Sequence, residues 1–178
     1  ANARVDLPVD VGRVHYRNLR LVGSTDGGVR AAYRDNPREI LKPGGTAWFV
    51  GGAGPMGTMH VIKAIMDDRG PGAVLVTDMS DERLANLAHL VGILTKKGGR
   101  KVELTVRNAK AVTADDIARF GGFDDVVGLV PVPAIIGDAA RWFAKDGVYN
   151  IFAGVKVGTI AELPLEPIVT GKVRVTGS

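Results

Sequence analysis

From Thr46 onward the chain alternates short β-rich runs with helical patterns, and that rhythm restricts it to a parallel sheet covered on both faces. TAWFVGG reads as the first strand, AVLVTD as the second, VELTV as the third and DDVVGLV as the fourth. VYNIFAG follows the Asp146-Gly147 turn as the fifth, and VRVTG is the last. Between them lie helical stripes. Met59, Ile62, Ile65 and Met66 repeat at helical spacing, as do Leu84, Leu87, Leu90, Val91 and Leu94. Asp81 and Glu82 sit in the first turn of the second helix, where the dipole favours carboxylates. Thr113 and Asp116 form a capping pair for a short helix, and Pro133 opens another through Ile136, Ala140 and Phe143. The fold class is α/β, a doubly wound Rossmann-like sheet in a single domain with an extra N-terminal strand segment. Residues 1–45 are read as that strand and linker, and 46–178 as the doubly wound domain.

Glycine is the compositional outlier. It supplies 24 of 178 residues, about twice its usual share of roughly 7%. Some of it is turn material, as in Gly27-Gly28, Gly44-Gly45, Gly98-Gly99 and Gly121-Gly122. The informative part is Gly52-Ala53-Gly54-Pro55-Met56-Gly57, which joins the first strand to the first helix. In a GxGxxG loop the first glycine permits the turn, the second lets a pyrophosphate reach the backbone, and the third packs helix on strand. The phosphates rest on unpaired N–H groups at the helix N-terminus. Asp78 ends the second strand, 21 residues beyond Gly57. A carboxylate there bonds the ribose hydroxyls and repels a 2′-phosphate, so NAD is expected rather than NADP. Arg83 flanks the same region and is the residue that argues the other way.

Other nucleotide chemistries fit less well. Gly57 is followed by Thr58 and Met59, not by the GK[ST] of a kinase-type loop. No tyrosine has a lysine four residues on, since Tyr16, Tyr33 and Tyr149 are followed there by Arg20, Pro37 and Ala153. An S-adenosylmethionine-dependent methyltransferase, which also uses a glycine loop and an acid, stays open. So does a non-catalytic nucleotide-binding or assembly module.

Without cysteine the chain has no disulfide, thiolate zinc site or cysteine nucleophile. His15, His60 and His89 lie far apart, and no catalytic residue or metal ligand is assigned. His60 falls in the first turn after the glycine loop and is read as a partly exposed helix residue. His15 and His89 are read as structural or solvated. No membrane-length apolar run or signal peptide is readable, and a cytoplasmic protein is expected. The net charge of +4 is dispersed. Its densest cluster, Lys96, Lys97, Arg100 and Lys101, is broken by glycines and has no aromatic neighbour, so no nucleic-acid partner is expected.

The two ends of the chain resemble each other. Leu7-Pro8-Val9-Asp10 precedes a run ending RLVGS (20–24), and Leu163-Pro164-Leu165-Glu166 precedes one ending RVTGS (174–178). Read as a repeat, both are last-strand elements of a nucleotide-binding unit, the first left from an upstream unit, which implies a piece of a longer protein.

The path WFVGGAGPMGTMH, VLVTDMSDERL, GFDDVVGLVPVPAI, DGVYNIFAGVKVGT and LPLEPIVTGKVRVTGS resembles the cofactor-binding domain of medium-chain, zinc-type alcohol-dehydrogenase-like enzymes. The GPMGxMH variant with FDD and NIFAG is similar to their sorbose-phosphate-reductase and sugar-alcohol branch. The resemblance runs from about residue 42 to 178. It implies that Val130, Pro131 and Val132 pass the cofactor's ribose and adenine side. Phe152, Ala153 and Gly154 would lie near the nicotinamide, with Thr176 to Ser178 on its other flank. It also implies hydride transfer between nicotinamide and an alcohol or polyol. Zinc would be held by a separate barrel domain that these 178 residues lack, so the chain alone should bind cofactor without turnover. Pairing of two copies through the last strand, taken to lie at the sheet edge, is the implied route to a homodimer.

Overall fold

The computed structural model describes residues 5–25, 29–33, 38, 40–96 and 100–177. Ser178, Lys97 and the pairs Gly27-Gly28 and Gly98-Gly99 lie outside the described residues. The chain begins with β1 (Asp6–Asp10), α1 (Val11–Tyr16), β2 (Arg20–Leu21) and α2 (Val29–Ala32). The alternating part follows as β3 (Thr46–Val50), α3 (Pro55–Met66), β4 (Ala73–Asp78), α4 (Asp81–Lys96), β5 (Glu103–Asn108), α5 (Ala114–Ala118), β6 (Phe123–Gly128), α6 (Pro133–Ala139) and β7 (Phe143–Ile151). It closes with β8 (Ile160–Pro164), α7 (Leu165–Val169) and β9 (Arg174–Gly177). Among the described residues the main sheet runs β2-β9-β7-β6-β3-β4-β5 and is parallel except for β2. β1 and β8 form a separate antiparallel pair. The α/β class and the six strands expected after residue 45 are all present.

Strand alternation separates two apolar layers. Trp48, Val50, Leu75, Val126, Tyr149 and Ile151 face one core, with α1, α5, α6 and α7 behind it. Ala47, Phe49, Val74, Val76 and Val127 face the other, under α3 and α4. The stripe expected on α3 is displaced. Its buried residues are Gly57, Val61, Ala64 and Ile65, whereas Met59 and Met66 are exposed. Small residues let this helix lie close to the sheet, so its inner face is less apolar in sequence than its rim. On α4, Leu84, Leu87 and Val91 are buried, whereas Leu90 of the expected stripe is exposed.

The helix from Pro133 stops at Ala139, and Phe143 belongs to β7. The Ala140 N–H bonds Ile136 O at 3.3 Å, and the Phe123 N–H bonds Trp142 O at 2.8 Å, which turns the chain back into the sheet. Asp146-Gly147 therefore lies inside β7 rather than ahead of it. Phe123 faces Phe143 and Asp125 faces Val148, so two steps on β6 (125 − 123) match five on β7 (148 − 143). Asp146 takes a φ of +62° in this bulge, and its N–H bonds Gly171 O at 2.7 Å.

The last strand is also not at the sheet edge. β2 covers β9, pairing Arg20 with Thr176 and Leu21 with Val175. The premise of the expected homodimer, a free edge at β9, is thus corrected, because β2 occupies that edge.

Two half-buried carboxylates hold helix starts. Thr113 and Asp116 complete the capping box of α5, with the Thr113 N–H on Asp116 Oδ2 at 3.0 Å. Asp10 accepts the Arg13 N–H at 3.0 Å. The Thr113 amide holds Asp116 below its ordinary value of 3.8, and the Arg13 amide does the same for Asp10. A depressed folded value means the contribution is complete well above 3.8 and fades as pH falls through the folded value. Asp116→Ala should accordingly lower the melting temperature near neutral pH. In a pH series of thermal melts the difference should close on acidification below 3.8.

Candidate functional site

The carboxyl ends of the parallel strands meet in one row. Thr77 pairs with Val50, Val50 with Gly128, Gly128 with Ile151, and Ile151 with Gly177. The chain proceeds from β3 outward to β4 and β5, then returns to place β6 on the other side of β3. Between β3 and β6 the direction of winding reverses, and a crevice at such a switch point is where open α/β sheets take ligands.

Each strand exit is fastened to its neighbour. The Gly51 and Gly52 N–H groups both donate to Thr77 O, at 2.7 and 3.1 Å. The Phe152 and Ala153 N–H groups both donate to Gly128 O, at 3.0 and 2.8 Å, and the Leu129 N–H reaches Val50 O at 2.9 Å. The turn falls one residue earlier than the motif suggests. Gly51 has φ +77°, and Val130 fills the space its side chain would need. Gly52 is instead required by packing, since a Cβ there would lie 2.7 Å from Phe49 Cβ and 2.8 Å from Val76 Cγ1.

Gly54 and Gly57 answer to different constraints. A Cβ on Gly57 would sit 2.6 Å from three backbone atoms of Gly52, so this glycine sets the approach of α3 to the loop. A Cβ on Gly54 would meet nothing nearer than Gly51 O at 3.8 Å. Gly54 is the N-cap of α3, with no side-chain cap and with Pro55 in the first turn. The helix start thus presents amides beside an open backbone surface, a cradle that a side chain would fill.

Asp78 is buried to 9% exposure at the end of β4. Its Oδ2 accepts the Ala53 N–H at 3.2 Å and its Oδ1 the Ser80 N–H at 3.2 Å. The carboxylate therefore ties the glycine loop to the turn before α4 while standing at the end of the strand row. Arg83 is exposed on α4 and shares a hollow of about 300 Å³ with Ala53, Pro55, Thr58 and Asn86. Met56, Pro131 and Val132 are exposed around the loops, and Val130 is half-buried against Gly51.

At the β7 exit Ala153 is buried and Gly154 exposed. The Phe152 ring lies 4.5 Å from His60, edge to face. Burial holds the His60 imidazole below its ordinary value, with Lys63 acting in the same direction. Thr176 is half-buried in β9 beside Asn150, one residue short of the row, and Ser178 is outside the described residues. His15 sets Nδ1 3.1 Å from Ile151 O, and His89 is exposed on α4. Among the described residues no group of three histidine, cysteine, aspartate or glutamate side chains is placed to hold a metal ion, and no helix is long and apolar enough to cross a membrane.

The structure thus gathers the glycine loop, Asp78, Val130 and Phe152 at one end of the sheet. Thr77 and Gly128 are participants the sequence could not mark, because each contributes only its carbonyl. Gly51 had a signal, the doubled glycine after the strand, that reads equally well in either register.

No family model matches the chain. It is 36% identical over 126 residues to the Escherichia coli (strain K12) uncharacterized protein YggP. It is 29% identical over 121 residues to mannitol-1-phosphate 5-dehydrogenase of Aliivibrio fischeri. Each match covers 64% of the chain, which spans 28% of the length of each relative. The 2R,3R-butanediol dehydrogenase of Bacillus subtilis superposes with a TM-score of 0.61 at 24% identity, over 78% of this chain and 36% of that one. An Escherichia coli CFT073 alcohol dehydrogenase solved with NADH gives a TM-score of 0.57 at 18% identity, over 78% and 37%. Over 78% of its length the chain has the fold of one domain of the zinc-type alcohol and polyol dehydrogenases.

Proposed function

We propose that the chain is the NAD(H)-binding domain of an alcohol or polyol dehydrogenase, and that membership of that family underlies the fold. The observation that carries this reading is the open backbone at Gly54, set at the start of α3 and flanked by the Asp78 carboxylate. A dinucleotide fits these residues. The amides at the start of α3 would hold its pyrophosphate, and Asp78 would accept from the adenosine ribose hydroxyls. Arg83 borders the adenosine side. Val130, Pro131 and Val132 line the β6 exit, while Phe152, Ala153, Gly154 and Thr176 line the nicotinamide side. When bound, nicotinamide supplies hydride transfer to or from a hydroxyl or carbonyl carbon. The chain's own residues bind, orient and shield it from water; polarisation of the substrate oxygen by zinc belongs to the rest of such an enzyme. Residues 46–178 carry this role, with 1–45 as an added segment.

Calorimetric titration of the chain with NADH and NADPH tests the reading. NADH should bind and NADPH should bind about tenfold more weakly, a difference of ~1.4 kcal/mol. In Asp78→Ala the preference should narrow or invert, because the repulsion of a 2′-phosphate is gone. Silence with NADH at millimolar concentration, or thermal stabilisation by S-adenosylmethionine alone, would overturn it. Equal affinity for the two nucleotides in the unmodified chain would remove the NAD assignment.

A further inference from the structure

The two faces of the main sheet are unequally covered. Val126, Tyr149, Ile151 and Val175 are buried on one face beneath α1, α6 and α7. On the other, α3 and α4 cover Ala47, Phe49, Val74 and Val76, and beyond Val127 that face opens into a hollow of about 620 Å³. Alternate residues of four strands form its floor: Val127 on β6, Val148 and Asn150 on β7, Arg174 and Thr176 on β9, and Arg20 on β2. The floor changes character outward. Val127 and Val148 are buried, Arg174 and Thr176 half-buried, and Arg20 exposed.

The register brings the charges together. Arg20 pairs with Thr176 across the antiparallel β2-β9 ladder, and Arg174 stands two residues back along β9 on the same face. The two arginines are therefore diagonal neighbours, about 7–8 Å apart at the backbone and within reach of one another's long side chains. The hollow is lined by three arginines, Arg20, Arg38 and Arg174, and by one acid, Asp125. That acid is already engaged, with both oxygens on Arg38 Nη1 and the Lys42 N–H on Oδ2. Among the described residues, Arg20 and Arg174 thus face the hollow with no carboxylate to meet. Two like charges side by side on a sheet repel each other. An oxyanion between them replaces that repulsion with charge-assisted hydrogen bonds to two planar forks.

We propose that Arg20 and Arg174, with the Thr176 hydroxyl between them and the strand exits, form an accessory site for a phosphate-type oxyanion on this face of the sheet. The site is distinct from the nucleotide crevice. In the order β9-β7-β6-β3-β4 it lies four strands from Asp78, roughly 19 Å at about 4.8 Å per strand. It borders the proposed nicotinamide side only through Thr176, and it does not depend on nucleotide binding.

Inorganic phosphate is the probe, titrated into the unmodified chain at constant ionic strength with chloride as the balancing ion. Calorimetry should show saturable binding in the millimolar range, and the side-chain N–H resonances of Arg20 and Arg174 should shift along the same curve. That measurement needs no variant. Arg20→Gln and Arg174→Gln should each weaken phosphate by at least about tenfold, with thermal melts confirming that the variant is folded. Arg174→Lys, which keeps the charge and loses the fork, should fall between. Lys145→Gln removes an exposed charge near the start of β7 and should change the affinity by less than about twofold, because distant exposed charges are screened. Phenyl phosphate separates the two sources of such a group. An organic monoester whose body lies on Val127 and Val148 binds more tightly than phosphate, whereas a site for the free ion gives the reverse order. Absence of saturable binding, or resonance shifts that spare both arginines, would overturn the proposal. So would a loss in Lys145→Gln equal to that in Arg174→Gln, which would mean diffuse charge, or an equal loss in Gly54→Val, which would put the ion in the glycine loop. Unchanged phosphate binding in Gly54→Val, whatever becomes of NADH, keeps this site apart from the nucleotide reading.

Discussion

Gly54→Val should lose NADH binding by at least about tenfold while costing the fold less than about 1 kcal/mol. The asymmetry comes from where the side chain goes. Gly54 has φ −70° and ψ 172°, a conformation open to valine, and the nearest atom to its Cβ is 3.8 Å away. The valine Cβ is therefore accommodated without a protein clash, at the start of α3 where the phosphates are proposed to rest. Only a ligand resting on that backbone would notice it. Gly57→Ala is the opposing control. Its single methyl group would lie 2.6 Å from Gly52 and must push helix and loop apart, an overpacking cost of about 1–3 kcal/mol. That variant should lose both stability and binding. Calorimetry and thermal melts on the pair separate the two roles, and wild-type NADH affinity in Gly54→Val would mean the phosphates do not lie there.

The second large effect sits at the opposite end of the sheet. Asp125 is 3% exposed and takes both carboxylate oxygens to Arg38 Nη1, at 3.0 and 2.9 Å, with the Lys42 N–H on Oδ2 at 2.7 Å. Next to it Asp124 holds the Lys42 ammonium and the Thr46 amide. Burial pushes the Asp125 carboxyl above the ordinary carboxylate range in spite of these partners. The pair is thus no large net gain, but removing one member strands the others. Arg38 is partly exposed, which moderates the loss. Asp125→Ala should cost about 2–4 kcal/mol, with a melting temperature lower by about 2–4 °C per kcal/mol. Asp125→Asn, which keeps one acceptor, should cost less. Neither should alter NADH affinity measured well below the transition.

The glycine loop, the acid 21 residues beyond it and the six-strand order were legible because each depends on local sequence. Periodicity misplaced the inner face of α3, where Gly57 and Ala64 are buried by proximity rather than by hydrophobicity. It also carried α6 through Phe143, since Ile136, Ala140 and Phe143 keep helical spacing although a bulged strand has already begun. The position of β9 was not legible. Whether a strand is an edge depends on what pairs with it, and the two residues of β2 carry too little pattern to announce themselves. The likeness of the two chain ends was visible, but that they pair with each other is a property of the ladders alone.

The paired amides at the strand exits bear on how a ligand would be received. Thr77 O and Gly128 O each secure two consecutive N–H groups of the adjoining chain segment. The conformational entropy of these segments is thus spent at folding, before any ligand arrives. On the proposed reading, association would order side chains at the rim, such as Met56 and Arg83, more than the backbone beneath them. A preformed floor of this kind lowers the entropic penalty of capture. It also makes the geometry of the glycine loop depend on a neighbouring strand that need not touch the bound molecule.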